Sequence, residues 1–141
     1  MISKITCRDL VVTELLANMP VGFLAKNIRY PNATFDMPKP TADVTKTSAI
    51  NFAWLDVSMV DSNNIPQSPA RQMRSGLLSF DVYWPKLVGN VEALKVAEHI
   101  SATFANKWLG EILKINLGTI TEFEARDWYN LNITFDYFYE G

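Results

Sequence analysis

The chain is poor in the residues that most small catalytic and metal-binding proteins rely on. It has one cysteine and one histidine in 141 residues. A single cysteine, Cys7, rules out a disulfide within the chain and fits a reducing compartment. The lone histidine, His99, falls among polar neighbours on a predicted helix, with no nucleophile or orienting carboxylate in a local signature, so it reads as a surface histidine. No pair of Cys or His stands at metal-ligand spacing. Glu122 and Glu124 fall in what reads as a turn, and two carboxylates fall short of the six or more oxygens that hard-cation sites require. Glycine is scattered, at six residues in all. Gly89, Gly110 and Gly118 are isolated, so no glycine-rich loop is present to cradle a phosphate. Positive charge is also lacking: 13 Lys and Arg against 15 Asp and Glu give a net charge of −2, which disfavours a strongly basic nucleic-acid binder. The N-terminal stretch "MISKITCRDLVVTELLANMP" threads charges through its apolar positions and has neither the apolar centre of a signal peptide nor a membrane-spanning run. In a chain that is not exported, the sequons Asn32-Ala33-Thr34 and Asn132-Ile133-Thr134 carry no meaning.

What is present is a globular composition, 48% hydrophobic and 20% charged, in a length ordinary for one domain that can bury a core without metals or disulfides. A helix is predicted from about Ser3 to Asn18, with Ile5, Val12, Leu15, Leu16 and Met19 on one stripe and Pro20 as a stop. "VGFLAKNIRY" reads as a short strand. Residues 31–49, with three prolines, read as a long loop. "NFAWLDVSMV" alternates as a strand, with Ala53, Leu55, Val57 and Met59 on one face. Residues 61–75 read as a second long projecting loop, broken by Pro66 and Pro69. The strand that follows places Leu78, Phe80, Val82 and Trp84 on one face and ends at Pro85. A second helix is expected from about Val91 to Asn106, its stripe being Leu94, Ala97, Ile100, Phe104 and Trp108. "EILKINLGTI" and a closing strand follow. In the latter, Tyr129, Leu131, Ile133, Phe135, Tyr137 and Tyr139 alternate with mostly polar residues. Strands joined in pairs without helices predict an α+β fold: one domain over 1–141, a mainly antiparallel or mixed sheet flanked by two α-helices, and long projecting loops.

Aromatic residues make up 12% of the chain. After core positions are filled, Phe52, Trp54, Tyr83, Trp128 and Phe138 remain on the second faces of the strands. A sheet apolar on both faces must be covered twice, by two helical layers or by another subunit; the two flanking helices are expected to cover part of it and oligomerisation the remainder.

Several features in order resemble the tail terminator proteins of long-tailed bacteriophages, the lambda-type group and its relatives. They are the N-terminal helix ending in a Pro, "FAWLDVSMV" with Trp54 near its start, and a polar loop leading into "RQMRSGLLSFDVYWP". After these come the helix "GNVEALKVAEHISATFANKWL" and the closing strand "EARDWYNLNITFDYFY". The likeness covers most of residues 50–141. The turn with only Gly89 and the proline-rich 31–49 segment depart from the pattern. The resemblance implies a structural, non-enzymatic virion protein made in the host cytoplasm, with no cofactor. Such proteins form a ring, usually of six copies, that caps the finished tail tube, ends its polymerisation and docks the head–neck complex. Expected partners are other copies of the chain, the major tail tube protein, the head-completion or stopper protein, and double-stranded DNA passing without specific binding. On this footing Arg71 and Arg74 are expected to pair with acids of a neighbouring subunit, and Trp54, Tyr83 and Trp128 to make lateral contacts. From residue 91 onward eight acids face four cations, and Glu122, Glu124 and Asp127 are expected to line a channel that repels DNA phosphates. Two alternatives remain open: another neck, stopper or tube-like protein, and a small ligand-binding or enzymatic α+β domain with an aromatic pocket.

Overall fold

The computed structural model describes residues 4–31, 33–38, 49–68, 71–86, 88–124 and 128–140, with backbone alone at 62–68 and 71–72. The elements run α1 (Lys4–Ala17), a short 3-10 turn (Ala25–Asn27), β1 (Ile28–Arg29), a second 3-10 turn (Ala49–Asn51), β2 (Trp54–Ser68) and β3 (Arg71–Pro85). They continue with α2 (Val91–Phe104), β4 (Lys107–Leu109), β5 (Leu113–Glu124) and β6 (Trp128–Glu140). The strands form one six-stranded sheet in the order β1-β2-β3-β6-β5-β4. Only β1 pairs parallel, against β2; every other pairing is antiparallel. The molecule is an α+β domain with a mixed sheet, as expected from its strand pairs.

Alternation decides which side of the sheet is filled. Leu55, Val57 and Met59 of β2, Leu78, Phe80, Val82 and Trp84 of β3, and Leu131, Ile133, Phe135, Tyr137 and Tyr139 of β6 all face one side and are buried. Both helices pack there. From α2, Ala93, Val96, Ala97, Ile100 and Phe104 enter this core. The Phe104 ring stacks on Phe80 at 4.9 Å and lies 6.1 Å from Phe135. From α1 come Cys7, Val11 and Leu15. This is a different phase of α1 from the expected stripe: Ile5 is 70% exposed and Leu16 47%. Apolar residues surround this helix, so periodicity alone does not choose its inner side. Close packing does, seating the small Cys7 and Val11 against the sheet. After α1, the Asn18 side chain donates to the Glu14 carbonyl at 3.0 Å, satisfying one of the orphan acceptors at the helix end.

Two glycines in strands are required by close approach. Gly76 of β3 pairs with Tyr137, and Gly118 of β5 pairs with Phe135. A Cβ on Gly118 would stand 2.6 Å from the Phe135 ring; one on Gly76 would stand 2.7 Å from the Tyr137 ring and 2.1 Å from the Val60 carbonyl oxygen. β6 therefore lays an aromatic ring over a bare backbone on each side of itself.

Three expectations need correction. Residues 61–68 and 71–75 are not a loop, while 69–70 lie outside the described residues. β2 and β3 continue through them as one long antiparallel hairpin, with register shifts at Asp61/Asn63 and Pro66/Ser68. The bulges absorb what the sequence presents as breakers. Glu122 and Glu124 do not lie in a turn but in β5, opposite Leu131 and Tyr129. Trp108 does not continue the α2 stripe. The helix ends at Phe104, Asn106 takes a positive φ of 53°, and Trp108 lies in β4 with 54% of its surface exposed. Of the long loop expected at 31–49, residues 31 and 33–38 have no helix or strand, and Ala49 opens the second 3-10 turn.

Candidate functional site

The side of the sheet opposite the helices presents side chains in cross-strand rows, fixed by register. The first row is Trp54, Tyr83, Asn130 and Phe123; the next is Arg29, Asp56, Asp81, Asn132 and Thr121. Then come Ser58, Ser79, Thr134 and Thr119, followed by Val60, Leu77 and Asp136. Near the β4 edge lie Phe138, Lys114 and Trp108.

At its β2–β3 end the first row is aromatic and closed. Trp54 stacks on Tyr83 at 3.9 Å with 8° between the planes, and Trp128 meets Trp54 edge-on at 6.2 Å. Phe35, from the segment after β1, covers Trp54 at 5.4 Å. The alternation of the strands thus brings Trp54, Tyr83 and Trp128 together as expected. Their exposure is different: Trp54 retains 4% of its surface and Trp128 7%. These two rings are covered within one chain, so neither is a free contact ring, and only the half-buried Tyr83 keeps surface to offer. Closure leaves the Trp54 Nε1 and Asn130 Oδ1 atoms buried without a hydrogen-bond partner.

The middle rows are polar. Asn132 donates from Nδ2 to Asp81 Oδ1 at 2.8 Å, Thr134 donates to Asn132 Oδ1, and the Ser79 and Thr134 hydroxyls lie 3.4 Å apart. Asp56 and Asp81 stand directly opposite each other, a like-charge pair that costs stability unless a cation is near. Burial lifts the Asp56 carboxyl above its ordinary range; Arg29 opposes the shift and Asp81 adds to it. The Tyr83 phenol is also pushed up, first by burial and then by Asp81 and Asp56, while Asn130 and Arg29 act against the shift. Exposed apolar residues stand at both ends of this face: Val60, 61% exposed, and Leu77, 45%, in the last row beside Asp136, and Phe123, 52%, at the β5 end of the first row; Leu117, at the β5 register shift, is 75% exposed.

The other expected site residues lie elsewhere. Arg74 is a strand residue, opposite Tyr139, and shares the helix side with it. It is half-buried, its Nε has no hydrogen-bond partner, and its charge acts on the Tyr139 phenol. It is therefore not a loop cation reaching outward. Arg71 opens β3 opposite Ser68, and its side chain lies outside the described residues, as does Asp127. Glu122 and Glu124 are exposed at the end of β5, on the helix side, where both act on the Tyr129 phenol.

Two features had no signal in the sequence. Asp61, at the β2 bulge, accepts hydrogen bonds from Tyr137 and, at 3.3 Å, from Tyr139, with Lys4 Nζ 4.0 Å away. Burial and the Asp61 charge push the nearby Cys7 thiol up to about 11, so it stays protonated and unreactive at neutral pH. A cavity of about 600 Å³ also opens between α2 and the turn after α1, with Trp84, Val96, Ile50 and Pro20 as apolar lining and Glu92, Lys95 and His99 as polar lining. His99 donates from Nε2 to the Asn18 carbonyl at 2.7 Å, tying α2 to the end of α1.

No family model matches the chain, and no curated protein matches it. Ten chains of solved structures do. One of them, whose name describes no activity, superposes with a TM-score of 0.57 over 94% of this chain and 94% of its own length, at 13% sequence identity. That likeness bears on the fold alone. Among the described residues no helix is long and apolar enough to cross a membrane.

Proposed function

We propose that this chain is a structural subunit of a phage tail that assembles with copies of itself into a ring, of the terminator kind that caps the tail tube and receives the head–neck complex. The observation that carries the proposal is the uneven cover of the sheet. Both helices pack on one side, while the other keeps Val60, Leu77 and Phe123 in solvent, and Leu117 at the β5 register shift is exposed as well. Scattered apolar residues are ordinary on a surface, but several on one sheet face suit protein contact. A head-to-tail contact whose rotation closes gives a ring. The tube protein and a stopper or head-completion protein would be its axial neighbours, and its place would be the virion neck. If the bare face lines the bore, passing DNA meets Asp56, Asp81 and Asp136; if the helix side does, it meets Glu122 and Glu124. In either case duplex DNA slides past without being held.

The test is the mass in solution followed by negative-stain images. Annular particles, and the same annuli at one end of purified tail tubes, are the expected result. Annuli found on isolated heads instead would assign the chain to the stopper class. A second reading is favoured by the cavity beside Trp84: a small-molecule binding domain. A strictly monomeric protein that takes up a small aromatic ligand there, with Trp fluorescence responding, would replace the ring by that reading. Duplex DNA affinity tighter than about micromolar at physiological salt would contradict the bore assignment.

A further inference from the structure

The two ends of the sheet are each closed for only a few residues. At one end β1 covers β2 at Leu55 and Asp56 alone, because the chain leaves through Tyr30 and Pro31, and proline has no amide to extend a ladder. From residue 57 onward, the outer edge of β2 has no partner strand among the described residues. At the other end β4 covers β5 only at Leu113–Ile115, because the chain leaves α2 and enters β4 only after the positive-φ turn at Asn106. The Asn106 amide still reaches the Asn116 carbonyl at 3.3 Å; beyond it, residues 117–124 form a free edge among the described residues.

Free edges are usually blunted by lysine, proline or brevity. On the β5 edge the only protections are a register shift at its start and the charges of Glu122 and Glu124, both on the helix side. Residues 117–124, "LGTITEFE", contain no lysine and no proline, and Thr119, Ile120, Thr121 and Phe123 favour extended chain. Direction supplies the partner. β2 and β6 run one way, β3 and β5 the other. Placing the β2 of a second, identically oriented copy beside β5 continues the antiparallel alternation without a break. Each free edge also carries exposed apolar side chains that such a joint would cover, Val60 on β2 and Leu117 and Phe123 on β5.

We propose that copies of this chain join edge to edge, the free edge of β5 (residues 117–124) pairing antiparallel with the free edge of β2 (from residue 57) of the next copy. Main-chain hydrogen bonds then supply the contact, as in other cases of strand addition, and the joint is head-to-tail, the geometry that closes into rings. The identity of the partner rests on the ring reading above; the position of the joint rests on the strand edges.

Hydrogen exchange on the intact protein, dilute and at the highest soluble concentration, tests it. In the associated state, amides of 117–124 and 57–60 are expected to exchange at least about tenfold more slowly, while those of the already paired β6 change little. Thr121→Pro is expected to abolish association while keeping the monomer's circular dichroism. Thr119→Lys, which leaves the backbone intact, is expected to weaken association in the same direction should the proline variant fail to fold. Edge protection in dimers or open chains that never form annuli would uphold the joint and remove the ring reading. Annuli in which 117–124 exchange as fast as in the monomer would overturn the joint and leave the ring reading standing. A protein that stays monomeric at every concentration would overturn both.

Discussion

One sheet here has two unlike sides. On the helix side, Phe80, Phe104, Phe135 and Leu78 have no exposed surface, and Asp61 is hydrogen-bonded to Tyr137 and Tyr139. On the other side an aromatic corner is sealed by a segment without regular structure, a polar strip runs through the middle, and the remaining apolar residues meet water. The same strands, with the same alternation, serve both sides. Period-two patterning tells which residues share a side but not what lies over them. Stability should therefore reside in the helix side and the sealed corner, and interaction in the rest.

That division can be broken by experiment. Phe104→Ala should cost about 3–5 kcal/mol by denaturant unfolding, because it empties a site packed against Phe80 and Phe135. Trp54→Ala is expected to cost about 3 kcal/mol although Trp54 lies on the bare face; a change within about 0.5 kcal/mol would return the aromatic corner to the interaction surface. Gly76→Ala should destabilise by about 1–3 kcal/mol, because the new Cβ meets the Val60 carbonyl and the Tyr137 ring. A neutral outcome there would mean that β3 has more room beside Val60 of β2 and Tyr137 of β6 than described.

Asp56→Asn tests the polar strip through its pH dependence. The folded-state pKa of Asp56 lies above its ordinary value. The native state thus binds the proton more tightly than the unfolded chain does, and stability is lost as pH rises through the folded pKa. The variant, which cannot ionise, should melt at a higher temperature than the wild type at neutral pH. The gain should vanish at pH values below the ordinary carboxylate range. A variant that melts lower at neutral pH would show that the attraction to Arg29 outweighs burial and Asp81. Leu77→Ser, the smallest effect, should change monomer stability by no more than about 0.5 kcal/mol, and loss of association without loss of stability would place Leu77 at a contact.

The fold class was legible because its strands are long and strictly alternating. β6 declares itself over its whole length, and the core residues of β2 and β3 follow their pattern. The hairpin beyond Asp61 was not legible. Its Asn, Ser, Gln and Pro residues carry no strand preference, and its conformation comes from pairing with a neighbouring strand rather than from itself. β4, only three residues long, leaves no period to detect. At the candidate site, alternation predicted that Trp54, Tyr83 and Trp128 share a side. It could not predict Phe35, because a proline-rich segment has no repeat from which a landing point could be read. The Asp61 cluster depends on a bulge, which shifts side-chain phase by one residue. The inner side of α1 depends on which small residue fits.

The place of β6 within the sheet has a kinetic consequence. It is the last of the six strands in chain order, yet it lies in the interior, between β3 and β5, and each of those neighbours holds a glycine over which a β6 ring lies. Until β6 inserts, β3 and β5 have no bridge between them, and sticky backbone is left open on both. Maturation of this domain should wait on one late, long-range docking event, and chains halted before it would be the species that chaperones and proteases meet.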